Sequence, residues 1–104
     1  MSTIELTAAN FETTVEADGI VLVDWWASWC GPCMRFGPTY EAASTANADI
    51  VFAKVDTEAE QALAGAAQIT SIPTLNVYSG GQLVKQIVGA KPKAALLADL
   101  ADYL

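Results

Sequence analysis

Histidine is absent from the sequence. Ser-His-Asp and Cys-His catalysis are thereby excluded, because no imidazole remains to serve as base. Cysteine occurs only twice, as Cys30 and Cys33, so one chain lacks the four Cys or His ligands that a tetrahedral zinc site usually needs. Basic residues are scarce as well: five Lys and Arg against twelve Asp and Glu leave a net charge of -7. No basic patch is available to replace counterions on phosphates, which argues against nucleic acid. The same sign argues against anionic membranes. The apolar runs fall far short of the roughly 20 residues needed to span a bilayer. Met1-Ser2-Thr3-Ile4-Glu5 places no basic segment ahead of an apolar one, so no signal peptide is expected and the expected location is cytoplasmic.

What remains is a chain of 104 residues, 53% of them hydrophobic. That is enough for one domain over 1–104 with one core, and not for two. Thr3-Ile4-Glu5-Leu6 alternates as a short strand should, and Thr7 stands where an N-cap belongs before Ala8 to Val15. Asp18-Gly19 ends that helix. Ile20 to Ala27 is apolar on both alternating faces, the pattern of a strand covered on both sides. A second helix is expected from Gly31 or Pro32 toward Asn47, burying Cys33, Phe36, Tyr40 and Ala43, with a kink at Pro38. Asp49 to Val55 reads as a third strand, and Thr57 as the cap of a helix through Ala66. Thr74 to Tyr78 and Leu83 to Val88 flank Ser79-Gly80-Gly81-Gln82 as a hairpin, and a last helix runs from Pro92 to Tyr103. The order β-α-β-α-β-α-β-β-α implies an α/β fold: a mixed central sheet, part parallel through crossovers and part antiparallel through the hairpin, with helices on both faces.

The two cysteines stand three positions apart at a strand-to-helix junction, within Trp29-Cys30-Gly31-Pro32-Cys33. One helical turn brings their sulfurs together. A disulfide closing so small a loop constrains the unfolded chain by only roughly 2 kcal/mol, little for a structural staple. The spacing favours a bond made and broken during work over a pair of inert core thiols. Reactivity requires the thiolate, and a free cysteine has a pKa of about 8.5. Poising it near neutrality takes roughly 2 kcal/mol, while a helix N-terminus typically contributes ~0.3–1 kcal/mol. A hydrogen bond from the second thiol is expected to supply the rest. Cys30, outermost and on an accessible Gly31-Pro32 loop, is the expected nucleophile; Cys33, one turn further in, is the expected resolving thiol.

Asp24 interrupts Val21, Leu22, Val23, Trp25 and Trp26. A carboxylate in such company is costly to bury, and desolvation raises its pKa toward the range of a neutral-pH base. It is expected to take the proton of Cys33, through a water, with Lys54 in the third strand tempering the shift. The bland alternative is a solvated Asp at a strand end. Ile72-Pro73-Thr74 opens a strand with a proline that either forms an ordinary turn or is cis and offers a backbone edge to an extended peptide. Gly89 is either a turn glycine or a point of close backbone approach.

Taken together, Val23 through Cys33, Pro38, Lys54, Ser71-Ile72-Pro73-Thr74 and Val88-Gly89-Ala90 resemble the thioredoxin family, along essentially the whole chain. Each piece is common, whereas the full set in this order is highly specific. The resemblance implies the thioredoxin fold and a general protein-disulfide reductase that cycles through a mixed disulfide with its substrate. It implies Cys30 as nucleophile, Cys33 as resolver, Asp24 with Lys54 as the acid-base group, and Gly31-Pro32 as the pair that keeps the potential reducing. It further implies a cis Pro73 against the disulfide, and an apolar peptide groove lined by Trp29, Ile72 and Gly89, with Val88 and Ala90 beside it. The implied partners are disulfide-containing proteins and a thioredoxin reductase, either an NADPH-dependent flavoprotein or a ferredoxin-dependent enzyme. The implied chain is a monomer that holds no cofactor itself and serves electron transport and cell redox homeostasis.

Some positions depart from the pattern. Met34 and Arg35 follow the second cysteine where many members have Lys first, Trp25 replaces a frequent Phe, and Gly80-Gly81 replaces the more usual Asn-Gly turn. These touch partner choice and the fine value of the potential. Two alternatives stay open at this point: a disulfide oxidase or isomerase, and a non-catalytic binding subunit on the same fold.

Overall fold

The computed structural model describes residues 3–103, the side chain of Lys93 aside. The expected domain limits at Met1 and Leu104, and the first two residues of the segment read for a leader, lie outside the described residues. Nine elements follow one another: β1 Thr3–Glu5, α1 Phe11–Val15, β2 Ile20–Trp26, α2 Gly31–Ala46, β3 Val51–Asp56, α3 Gln61–Ala66, β4 Thr74–Ser79, β5 Gln82–Val88 and α4 Lys93–Asp99. They build a five-stranded sheet in the order β1-β3-β2-β4-β5. The β1–β3 and β2–β3 pairs are parallel, the β2–β4 and β4–β5 pairs antiparallel. This is the mixed sheet, part parallel and part antiparallel, that the element order implies.

The period-two geometry of β2 sorts its side chains between two cores. Val21, Val23 and Trp25 pack with Leu6, Val15, Val55 and Ala64 under α1 and α3. Leu22 packs with Phe36, Tyr40, Phe52, Val77, Leu96 and Leu100 under α2 and α4. Asp24 alternates in step with Leu22 and therefore faces α2. Tyr40 anchors that helix to the sheet: its hydroxyl lies 2.7 Å from the Ala53 carbonyl and 3.2 Å from the Leu22 carbonyl, on two neighbouring strands.

Several boundaries differ from expectation. Thr7 is not the cap of α1. The Thr7 amide donates to Asn10 Oδ1 at 2.7 Å and the Ala9 amide to Thr7 Oγ1 at 3.2 Å, so short polar side chains satisfy the backbone in a turn and the helix starts only at Phe11. Thr57 does not cap α3 either. Its amide and hydroxyl both donate to the Trp26 carbonyl, at 2.8 and 3.0 Å, tying the loop after β3 to the end of β2. Asp49 and Ile50 belong to the turn before β3, where the Ile50 amide donates to Asn47 O. The last helix ends at Asp99, short of Tyr103. Gly80 and Gly81 take φ of +59° and +85°, the signs that a two-residue type I′ hairpin requires. Among the described residues, no helix is long and apolar enough to cross a membrane.

Candidate active site

Ala27 to Trp29 carry the chain from the C-terminal end of β2 to the first turn of α2. Cys30 is the N-cap of that helix, extended at φ -89° and ψ 107°, with Pro32 in the first turn. Its Sγ sits where a capping oxygen ordinarily does and accepts the Cys33 amide proton at 3.2 Å. In this oxidised form the Cys33 backbone amide is the donor to Cys30 Sγ. Cys30 and Cys33 form a disulfide, with Cα atoms 5.2 Å apart.

Gly31 and Pro32 are exposed, yet Cys30 is only 4% and Cys33 only 3% exposed. The expectation of an open, solvent-facing Cys30 is therefore corrected for this oxidised form. Ala27, Trp26 and Ile72 pack around both cysteines. The Ile72 carbonyl approaches Cys30 Sγ to 3.9 Å. In the disulfide that sulfur carries no proton, so the approach is a contact; as a thiol Cys30 would have this carbonyl as an acceptor.

Asp24 stands opposite Lys54 in the β2–β3 register. Its residue is 1% exposed and its Oδ1 has no hydrogen-bond partner. Burial pushes the carboxyl up from 3.8 to about 7, with the Lys54 charge pulling the other way. The solvated strand-end alternative is thus overturned. Lys54 does not pair with the carboxylate directly: its Nζ lies 4.8 Å from the centre of the Trp26 ring. Asp24, Lys54, Trp26, Cys33, Met34, Gly37 and Pro38 enclose a cleft of about 280 Å³. That is room for water between Cys33 and the buried carboxyl. Pro38 also lacks the amide that would complete the helical ladder at the Met34 carbonyl on this side.

The Ile72-Pro73 peptide is cis. The Gly89 amide donates to the Pro73 carbonyl at 2.8 Å, with Gly89 at φ +99°. Val88 pairs with Thr74 and is 58% exposed, and Ala90 follows on the surface. Trp29 is 67% exposed, its indole N–H donating to Glu58 Oε1 at 2.6 Å. Between Trp29 and Ile72 lies a second hollow of about 190 Å³, closed by Thr57, Ala64, Ile69, Thr70 and Ser71. The fold thus gathers Cys30, Cys33, Ile72, Asp24 and Lys54 at one end of the sheet. Val88 and Ala90 flank Gly89 without contributing to either hollow.

Sequence reasoning singled out Pro38 and Met34 without placing them beside Asp24, and missed Trp26, Gly37 and Glu58 as site neighbours. The first four had a signal: Trp26 shares a strand face with Asp24, and 34, 37 and 38 follow helical spacing. Glu58 had none, since only the folded loop brings it to Trp29. Among the described residues no cluster of side chains suits a metal ion.

The thioredoxin family model matches residues 2–102. The chain is 55% identical to a protein named "Putative thioredoxin 2" of Streptomyces coelicolor, over 91% of this chain and 71% of that one. It is 48% identical to the "Bifunctional thioredoxin reductase/thioredoxin" of Mycobacterium leprae, over 98% of this chain and 23% of that protein. Among solved structures, Plasmodium falciparum thioredoxin superimposes with a TM-score of 0.90 at 35% identity, covering 97% of this chain and 99% of that one.

Proposed function

This chain belongs to the thioredoxin family, and from that premise we propose a role for each residue of the site. The chain is a thiol-disulfide oxidoreductase, a protein-disulfide reductase that alternates between the Cys30/Cys33 dithiol and the Cys30–Cys33 disulfide. Its partners are disulfide-bearing proteins and a thioredoxin reductase.

In the reduced chain Cys30 is the nucleophile. The observation that carries this is its place as the N-cap, where Sγ accepts the Cys33 amide proton at 3.2 Å. A hydrogen bond to the charged form favours the thiolate, and the helix N-terminus acts in the same direction. The Cys30 thiolate attacks one sulfur of the substrate disulfide, forms the mixed disulfide and releases the other sulfur as a thiolate. Asp24 then takes the Cys33 proton through water in the shared cleft. The Cys33 thiolate attacks Cys30 Sγ, closes the internal disulfide and releases the reduced substrate. Lys54 keeps the Asp24 pKa within reach of neutral pH. Trp29, Ile72, Pro73, Val88, Gly89 and Ala90 form the peptide-binding rim, with Gly31 and Pro32 setting the potential.

The electron donor is a thioredoxin reductase, either an NADPH-dependent flavoprotein or a ferredoxin-dependent enzyme. Support for a reductase partner comes from the Mycobacterium leprae relative, whose name joins thioredoxin reductase and thioredoxin in one chain. The chain acts as one domain and as a monomer in the cytoplasm, carrying electrons for redox homeostasis.

Insulin reduction by the wild type, Cys30→Ser and Cys33→Ser tests the roles. Wild type should turn over, Cys30→Ser should be inert, and Cys33→Ser should accumulate a mixed disulfide. Mixed-disulfide formation through Cys33 in the Cys30→Ser variant would reverse the assignment. A strongly oxidising potential in glutathione buffers would favour the oxidase alternative, and biological activity retained by a double Cys→Ser variant would favour a binding subunit.

A further inference from the structure

Four basic side chains are described besides the backbone of Lys93, and three of them are engaged. Lys54 sits over the Trp26 ring, Lys85 Nζ donates to the Asp99 carbonyl at 2.7 Å, and Lys91 pairs with the Asp99 carboxylate. Arg35 is exposed and, among the described residues, has no carboxylate partner. Arg35 is therefore the one described basic side chain left open to a partner, and its position is what gives that openness a use. A Cβ added at Gly31 would stand 3.2 Å from Arg35 Nη1. The guanidinium is thus folded back over the loop between the two cysteines, with its planar fork of donors unfilled.

We propose that Arg35 is a specificity-determining residue of the reductase, receiving a carboxylate that stands beside the disulfide of the target. The proposal rests on the reductase reading of the same site and names a substrate class for it: disulfides flanked by Asp or Glu. The opposite rim carries the other sign, because the Glu58 carboxylate holds the Trp29 indole. An acidic flank is therefore welcome on the α2 side and repelled on the Trp29 side. The net charge of -7 repels acidic targets at long range, so the selection acts only at contact. An exposed pair of this kind changes kcat/KM by about two- to five-fold at low salt and fades as salt rises.

The test uses three matched disulfide peptides, whose residue next to the cysteine is Asp, Ser or Lys, reduced by wild type, Arg35→Ser, Arg35→Glu and Lys85→Gln. The readout is the Asp-to-Lys ratio of kcat/KM within each protein, which cancels any general loss of activity. The ratio should be about two to five for wild type, fall to about one in Arg35→Ser, and invert in Arg35→Glu. Lys85→Gln removes the same charge elsewhere and should keep the wild-type ratio. An unchanged ratio in Arg35→Ser, or an equal fall in Lys85→Gln, overturns the proposal. So does a uniform loss across all three peptides accompanied by a shifted pH profile of Cys30 alkylation, which would place the charge on the thiolate instead. Failure of wild type on the Ser peptide would sink the reductase reading itself, and is distinguishable because it involves no charge.

Discussion

Replacing Asp24 with Asn keeps the shape of the side chain and removes its proton equilibrium. The folded protein holds this proton more tightly than the unfolded chain does, since burial raises the carboxyl from 3.8 to about 7. The sign follows from linkage. Below the unfolded value both states are protonated and the stabilisation is fully present. As pH rises past 3.8 the unfolded chain loses its proton first, stability declines, and the contribution is gone once pH passes about 7. At roughly 1.36 kcal/mol per tenfold change in proton affinity, the whole span amounts to about 4 kcal/mol. The carboxyl is 1% exposed, so solvent screening does not reduce this by much. Denaturant unfolding of the oxidised protein, wild type against Asp24→Asn, should show the variant gaining about 3 kcal/mol on wild type between pH 4.5 and 8.5. Lys54→Gln removes the opposing charge and should extend the decline to higher pH. A gap between wild type and Asp24→Asn that stays constant across that range would refute the reasoning, and with it the case for Asp24 as the proton acceptor.

Three further outcomes concern stability alone. Tyr40→Phe should lower stability by about 1 kcal/mol, or about 4–8 °C in Tm, because it takes the shared hydroxyl from the Leu22 and Ala53 carbonyls; an unchanged Tm would mean that the bridge between strands contributes nothing. Gly89→Ala should cost about 1–3 kcal/mol through its φ of +99° alone, since no atom lies within 4 Å of the added Cβ. Gly65→Ala in α3 meets equally open space without a positive φ and should be neutral or stabilising by about 0.4–1 kcal/mol in the same melting experiment.

Much of the site was legible because its chemistry is local. A three-residue cysteine spacing at a strand-to-helix junction brings two sulfurs within one turn whatever surrounds them. An aspartate amid valines and tryptophans pointed to a buried carboxyl, and only its 1% exposure closed the solvated strand-end alternative. The element order was readable for the same reason, each segment carrying its own periodicity and breakers. The caps were not: Thr7 and Thr57 both look like helix starts, but the Thr7 hydroxyl is taken by a local turn and the Thr57 hydroxyl by the distant Trp26 carbonyl.

The sequence by itself determined that two thiols meet at a helix start and that no imidazole or metal set could do the chemistry within one chain, and it pointed to Asp24 as a carboxyl costly to bury. Only the tertiary structure decided that β4 runs antiparallel beside β2, which brings the Ile72 carbonyl to Cys30 from 42 positions along the chain. It alone placed Glu58 on Trp29, put Lys54 over Trp26 instead of on Asp24, buried Cys30 and turned Arg35 onto Gly31. The physical reason is range. Periodicity and spacing report what a residue does to its own segment, whereas burial and charge contact depend on which distant segment arrives to cover it.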